Sequence, residues 1–200
     1  MNIASFVKGY KKYKEKQNYP FDGLIYEHIK NNITHVDADI VYAKVVLVNR
    51  MYRANLKFAG GDPEGTIADG LVKEKVDDKL QKVANAKFNA DSLGLIVSTH
   101  KVVTDCCEKL LHRKPTSFVS KYLHFHFPEA FPIFDKYAYN SAWNIVTSEG
   151  LVEKIKGKTE ELKNDGDYAW FCASLVNIQT KVTEFNLKTV DRVLYGYEEP

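Results

Sequence analysis

The sequence predicts an all-α fold, and three observations predict it. Apolar residues recur every three or four positions along most of the chain, and strict alternation is absent. Prolines and glycines sit between those stretches as breaks. There is no internal repeat and no phosphate-cradling glycine motif of an α/β fold, because Gly60-Gly61 is not followed by a helix-opening lysine.

The elements follow in order. Residues 3–16 place Ile3, Phe6, Val7, Tyr10 and Tyr13 at helical spacing with lysines between them, an amphipathic helix with a wet outer face that Pro20 and Gly23 end. After Asp37, a suitable cap, Val41, Val45, Val48, Tyr52 and Leu56 predict a helix of about five turns running to the Gly60-Gly61-Asp62-Pro63 break. Ile67, Leu71, Val76, Leu80 and Val83 predict one or two further helices, whereas the β-branched residues of Ser92 to Val103 leave that stretch unassigned. From Thr116 the pattern firms: Phe118, Val119, Tyr122, Leu123 and His126 share one helical face, and Pro128 and Pro132 stop the helix. A new helix starts near Asp135, residues 149–164 are charged and predicted to be exposed, Tyr168, Phe171, Cys172, Leu175 and Val176 form an apolar stripe, and the last helix starts near Thr189.

Composition excludes several classes. A chain of 200 residues with 44% hydrophobic and 27% charged residues is that of a folded protein, not of a disordered or collagen-like one. Apolar runs such as Tyr42 to Val48 are too short to cross a bilayer, and the lysines of residues 1–20 occupy the place of an export signal's apolar stretch. Three cysteines, two of them adjacent at Cys106 and Cys107, make neither a disulfide framework nor a paired zinc site, so a reducing, cytoplasmic setting without a metal or other cofactor is expected. The net charge of +2 is uninformative, since affinity for phosphate depends on clustering. Basic clusters stand at Lys8 to Lys16, which reads as a solvated helix face, at Arg50 and Arg53, and at Lys109 to Lys114.

The most informative stretch is Thr116-Ser117-Phe118-Val119-Ser120-Lys121-Tyr122-Leu123-His124-Phe125-His126-Phe127-Pro128-Glu129-Ala130-Phe131-Pro132-Ile133-Phe134-Asp135. It resembles the core of the helix-hairpin-helix DNA glycosylase superfamily, most closely divergent bacterial proteins similar to 8-oxoguanine DNA glycosylase. The resemblance covers about 30 residues well. It implies a bundle of about eight to ten helices, with a cleft between a lobe built on 37–112 and a lobe built on 116–147 plus the terminal helices. It also implies a single monomeric domain over residues 1–200 that acts on double-stranded DNA, with Asp135 as the catalytic carboxylate.

Chemistry supports that assignment independently. Breaking an N-glycosidic bond builds positive charge on the sugar, which a fixed carboxylate stabilises while it orients or deprotonates water. Asp135 also suits the cap of the helix that follows it, and the two roles are compatible. The hairpin departs from the superfamily pattern: Arg113-Lys114-Pro115-Thr116 contains no glycine, which leaves Lys114, the Thr116 and Ser117 hydroxyls and a helix N-terminus to hold phosphate. Without gaps, the lysine of strand-cleaving members falls on Ser117, 18 residues before Asp135, and serine forms no Schiff base. A monofunctional glycosylase that leaves an abasic site is therefore expected, with Lys121 and Lys114 as alternative lyase residues if the register slips. Lys121 reads equally well as a surface lysine.

Asn49, Tyr52, Arg53 and Asn55 resemble, by position and type, the family segment that fills the gap left by a flipped nucleotide. Tyr52 also lies on the apolar stripe, and Arg53 suits an ion pair. Asn49 and Arg53 are thus expected DNA contacts, with Lys114, Thr116, Ser117 and Lys121, while Tyr52, His126 and Tyr139 are expected around the base. His126 is equally suited to a packed, hydrogen-bonded position. Tyr137, Trp143 and Trp170 are further planar groups, and aromatic residues at helical spacing are more often core. The six histidines lack the spacing of a metal site. The related families include repair enzymes and phage-defence enzymes that excise hypermodified bases such as bulky modified cytosines. The alternative is a DNA-binding module on the same scaffold without chemistry.

Overall fold

The computed structural model describes residues 22–56, 61–162, 166–182, 190 and 194. The helix expected over 3–16, with the Lys8 to Lys16 cluster, lies outside the described residues; of the helix expected from Thr189, Val190 and Leu194 are described, and both are helical and buried. The fold is all-α: among the described residues every regular element is helical. The helices are α1 (Asp22–Asn31), α2 (Ala38–Met51), α3 (Pro63–Lys73), α4 (Asp77–Leu80), α5 (Leu93–Leu111), α6 (Thr116–His126), α7 (Lys136–Ser148), α8 (Val152–Glu161) and α9 (Asp167–Gln179), with a 3-10 turn at Gln81–Val83.

Contacts divide the chain into two compact units. One comprises Tyr19–Ala86 and Ser98–Phe131, and the other includes Lys87–Val97 and the chain from Pro132 on. They are called the N-terminal and C-terminal units below. The division crosses the 116–135 motif between Phe131 and Pro132, so that α6 belongs to the first unit and Asp135 to the second.

In the N-terminal unit, α2 begins where Asp37 accepts hydrogen bonds from the Asp39 and Ile40 amides. Its buried residues Val41, Lys44, Val45, Val48 and Asn49 form one helical face, and α2 packs against α1, α3 and α6. The helix stops at Met51 and does not reach the Gly60 break. The reason is local competition for backbone groups. A continuing helix would pair the Leu56 amide with the Tyr52 carbonyl. Instead the Asn49 side chain accepts from Leu56 N at 3.0 Å, and Lys121 Nζ donates to Tyr52 O at 3.2 Å.

Helix α3 opens with an Asp62 cap and Pro63 in its first turn, where no amide partner is lost. It lies so close to α5 that a Cβ on Gly70 would stand 2.1 Å from Leu110 Cδ1. The β-branched stretch is helical from Leu93 within α5, where Ile96, His100, Val103, Cys107 and Leu111 are buried at helical spacing. Burying that stripe outweighs the weak β preference of its residues. Residues Phe118 to His126 of α6 are all buried.

In the C-terminal unit, Asp135 caps α7, and the helix closes on Gly150 at φ +67°. There the Gly150 and Leu151 amides return to the Thr147 and Val146 carbonyls, the paired bonds of a Schellman turn. The charged segment 149–164, expected to be exposed, contains α8, which buries Ile155 and Thr159; residues 163 and 164 lie outside the described residues. Helix α9 is buried continuously from Tyr168 to Leu175 and packs on α7 and α8. Cys107 and Cys172 are fully buried and Cys106 is half-buried. No described helix is long and apolar enough to cross a membrane.

Candidate nucleic-acid interface and carboxylate site

Asn49, Tyr52, Arg53 and Asn55, and Lys114, Thr116, Ser117 and Lys121, lie in the N-terminal unit around two turns. The turn after α2 holds Arg53 at φ 46° and Asn55 at φ 58°, and the turn before α6 holds His112 at φ 52°. These are left-handed conformations that side chains other than glycine adopt at a cost. Arg53 occupies the position where a Schellman turn favours glycine, since the Ala54 amide returns to the Asn49 carbonyl. Arg113 donates to the Asn55 carbonyl at 3.2 Å and so brings the two turns together. Arg53, Arg113 and Lys114 are exposed, and Thr116 and Ser117 are half-buried in the first turn of α6. Pro115, the N-cap of α6, provides no side-chain acceptor for the first amides.

The other residues named from this region have internal roles. Asn49 is buried, donates to Glu64 Oε1 at 2.9 Å and accepts from Leu56; Arg50 Nε also donates to Glu64 Oε1, at 2.8 Å. Tyr52 donates to Asp22 and meets Phe125 edge-on at a centroid distance of 4.8 Å. Lys121 is buried, with its ammonium on the Tyr52 carbonyl, and is not a surface lysine.

His126 belongs to a buried polar chain that the sequence did not reveal. His35 gives both its backbone N–H, at 2.7 Å, and its ring Nδ1, at 2.6 Å, to the Asp77 carboxylate. Because a carboxylate only accepts here, Nδ1 carries the proton and Nε2 accepts from the Tyr122 hydroxyl at 2.8 Å. The His126 ring stacks on His35 at 5.0 Å, donates Nδ1–H to the Tyr122 carbonyl and offers Nε2 to Lys44 Nζ at 3.5 Å. Lys44 is fully buried and also donates to the Asn32 and Thr34 carbonyls at 2.9 and 2.8 Å.

Burial lowers the Lys44 pKa to about 8, and burial with the Lys44 charge lowers that of His35 to about 4. Burial also holds His126 well below, and the Tyr122 phenol well above, their ordinary values. The order Asp77, His35, Tyr122 is that of a nucleophile relay, but a buried hydroxyl reluctant to ionise has no route to a substrate. The chain is a packing network. Its one sequence signal is Lys44, a lysine on the apolar face of α2.

In the C-terminal unit, Asp135 is 9% exposed with extended backbone, and its Oδ1 accepts from the Ala138 amide at 2.8 Å. The cap reading thus holds. Tyr139, one turn on, meets Phe134 edge-on at 5.6 Å and Trp170 at 5.2 Å, and Trp170 in turn carries Trp143 at 4.8 Å. Phe134 continues the cluster to Tyr168 and Phe171. Burial and the Asp167 charge raise the Tyr139 phenol. Among the described residues no three His, Cys, Asp or Glu side chains are grouped to hold a metal ion. Comparison with family models, curated proteins and solved structures finds no match to this chain.

Proposed function

We propose that this chain is a DNA N-glycosylase that flips a modified or damaged base and hydrolyses its glycosidic bond, with Asp135 as the catalytic carboxylate. The observation that carries the reading is the placement of Asp135: nine-tenths buried, pinned through Oδ1 at a helix start, at the end of the motif that resembles the superfamily. A carboxylate held in this way needs no reorganisation when positive charge develops on the sugar. Water adds at C1′ as the base departs with the bonding electrons, and Asp135 takes the proton from that water.

In this reading Arg53, Arg113 and Lys114 with the first turn of α6 hold backbone phosphates. The engagement of Lys121 with the Tyr52 carbonyl leaves Lys114 as the exposed amine of the two candidates for lyase chemistry, and a monofunctional enzyme remains the proposal. The substrates proposed are damaged genomic bases or the hypermodified cytosines of phage DNA.

The test is abasic-site formation on oxidised, alkylated, uracil-containing and phage-derived DNA. Asp135→Asn keeps the capping oxygen and is expected to lower base release by about 100-fold or more with DNA affinity unchanged. Base release from no substrate, or equal release by the variant, removes the assignment. The second reading, a DNA-binding module without chemistry, is favoured by one observation: the surface joined by Arg113 and Asn55 is built without Asp135. It predicts salt-dependent DNA binding that Asp135→Asn leaves intact, with no base released.

A further inference from the structure

Trp143 is a large apolar ring kept in water. It is 42% exposed although it belongs to a chain with only two tryptophans, and the second, Trp170, lies beneath it at a centroid distance of 4.8 Å and an interplanar angle of 34°. Trp170 is itself 9% exposed and wedged against Tyr139, so the ring of Trp143 rests on a packed support and not on mobile side chains. Such a platform meets a planar partner with little further loss of freedom.

The surroundings define that partner. Lys136, Asn140, Trp143, Asn144 and Thr147 recur at helical spacing on the solvent face of α7, and all five are exposed, with Tyr137 beside them at 56% exposure. No Asp or Glu occurs between Lys136 and Ser148. Asp167, in the first turn of α9, is the acidic group whose charge reaches Tyr139. An apolar protein partner calls for aliphatic neighbours around the ring, and here the neighbours are amides, hydroxyls and a lysine. A cation, hydrogen-bonding groups and an aromatic plane, with no carboxylate on the same helix, match an anionic polymer of planar bases.

We propose that the exposed ring of Trp143, seated on Trp170, is a stacking platform for an unpaired nucleobase on the solvent face of α7. The nucleic-acid class of the ligand rests on the function proposed above. Eight residues separate Trp143 from Asp135, about 12 Å along the helix axis, so the platform receives a base neighbouring the one under attack and not the target itself. Lys136 contributes to the adjoining phosphate, and Asn140 and Asn144 offer amide groups to the base edge.

The two tryptophans in contact report on the site by their own fluorescence. Titration of the full chain with oligo-dT, and with an oligomer of the same length and charge whose sugars lack bases, separates stacking from charge. Oligo-dT is expected to quench tryptophan emission, and the base-free polymer to bind more weakly without quenching. Trp143→Ala is expected to weaken oligo-dT binding about tenfold while leaving base-free polymer affinity unchanged, and Trp143→Phe is expected to restore most of the loss. Equal oligo-dT affinity in Trp143→Ala, or equal binding and quenching by both polymers, overturns the proposal. If Trp143→Ala fails to fold, Trp143→Phe and the two-polymer comparison decide it. Base release is scored separately: quenching by oligo-dT without base release from any DNA retains the platform and removes the glycosylase assignment, and the converse result does the opposite.

Discussion

Arg53 is where a side chain and its backbone want different things. A left-handed C-terminal turn favours glycine, yet this turn carries an exposed arginine. Arg53→Gly is therefore expected to raise stability by about 1 kcal/mol and, under the proposed function, to weaken DNA binding. Denaturant melts and a binding isotherm check the pair of effects, and a variant that is destabilised, or that binds unchanged, contradicts it. Asn49 and Lys121 show the opposite case. Their types suit DNA, but their polar groups are committed to Leu56, Glu64 and Tyr52, and residue type alone does not distinguish a phosphate contact from an internal fastening.

Among the elements, α1, α2 and the loop between them show how one buried cation organises a connection. Lys44 binds two carbonyls of that loop, Asn32 and Thr34, and through His126 it ties α2 to α6. Lys44→Met retains the stem and removes the donors, and is expected to cost about 3 kcal/mol, read by urea melts. A loss below the cost of a single hydrogen bond would show that water replaces the ammonium. The helices themselves were largely legible: the Asp37 cap, the stop after His126 and the start at Asp135 all follow from local chemistry. Two elements were not. Helix α5 looked ambiguous because β-branching is a residue property while its buried stripe is a packing property. Helix α2 looked too long because its stop depends on Lys121, distant in sequence. Asp135 was legible as a cap, whereas the Asp77–His35–Tyr122 chain was not, because its partners come from three separated segments.

Over the whole molecule, the buried histidines make stability a function of pH. Burial holds His35, His100 and His126 in the neutral form, and His126 offers Nε2 to the Lys44 ammonium, which can only donate. His100 is held at about 3 by burial, below His35 at about 4, and His126 is also lowered. The unfolded chain binds protons at these sites near pH 6.5 while the folded chain does not. The histidine contribution to stability is thus complete above 6.5 and is lost as the pH drops toward 4, by about 3 kcal/mol for His35 alone. Denaturation midpoints measured across that window check this, and a flat profile refutes it. The cysteines add a different consequence. Cys107 lies closed in the N-terminal unit and Cys172 in the C-terminal unit, while the half-buried Cys106 thiol is raised by burial and by the Glu74 charge and is slow to react. A thiol-specific mass tag that enters only when packing opens would mark Cys107 and Cys172 at separate rates. Each half of the chain thus carries its own clock for transient opening, with no label to be introduced.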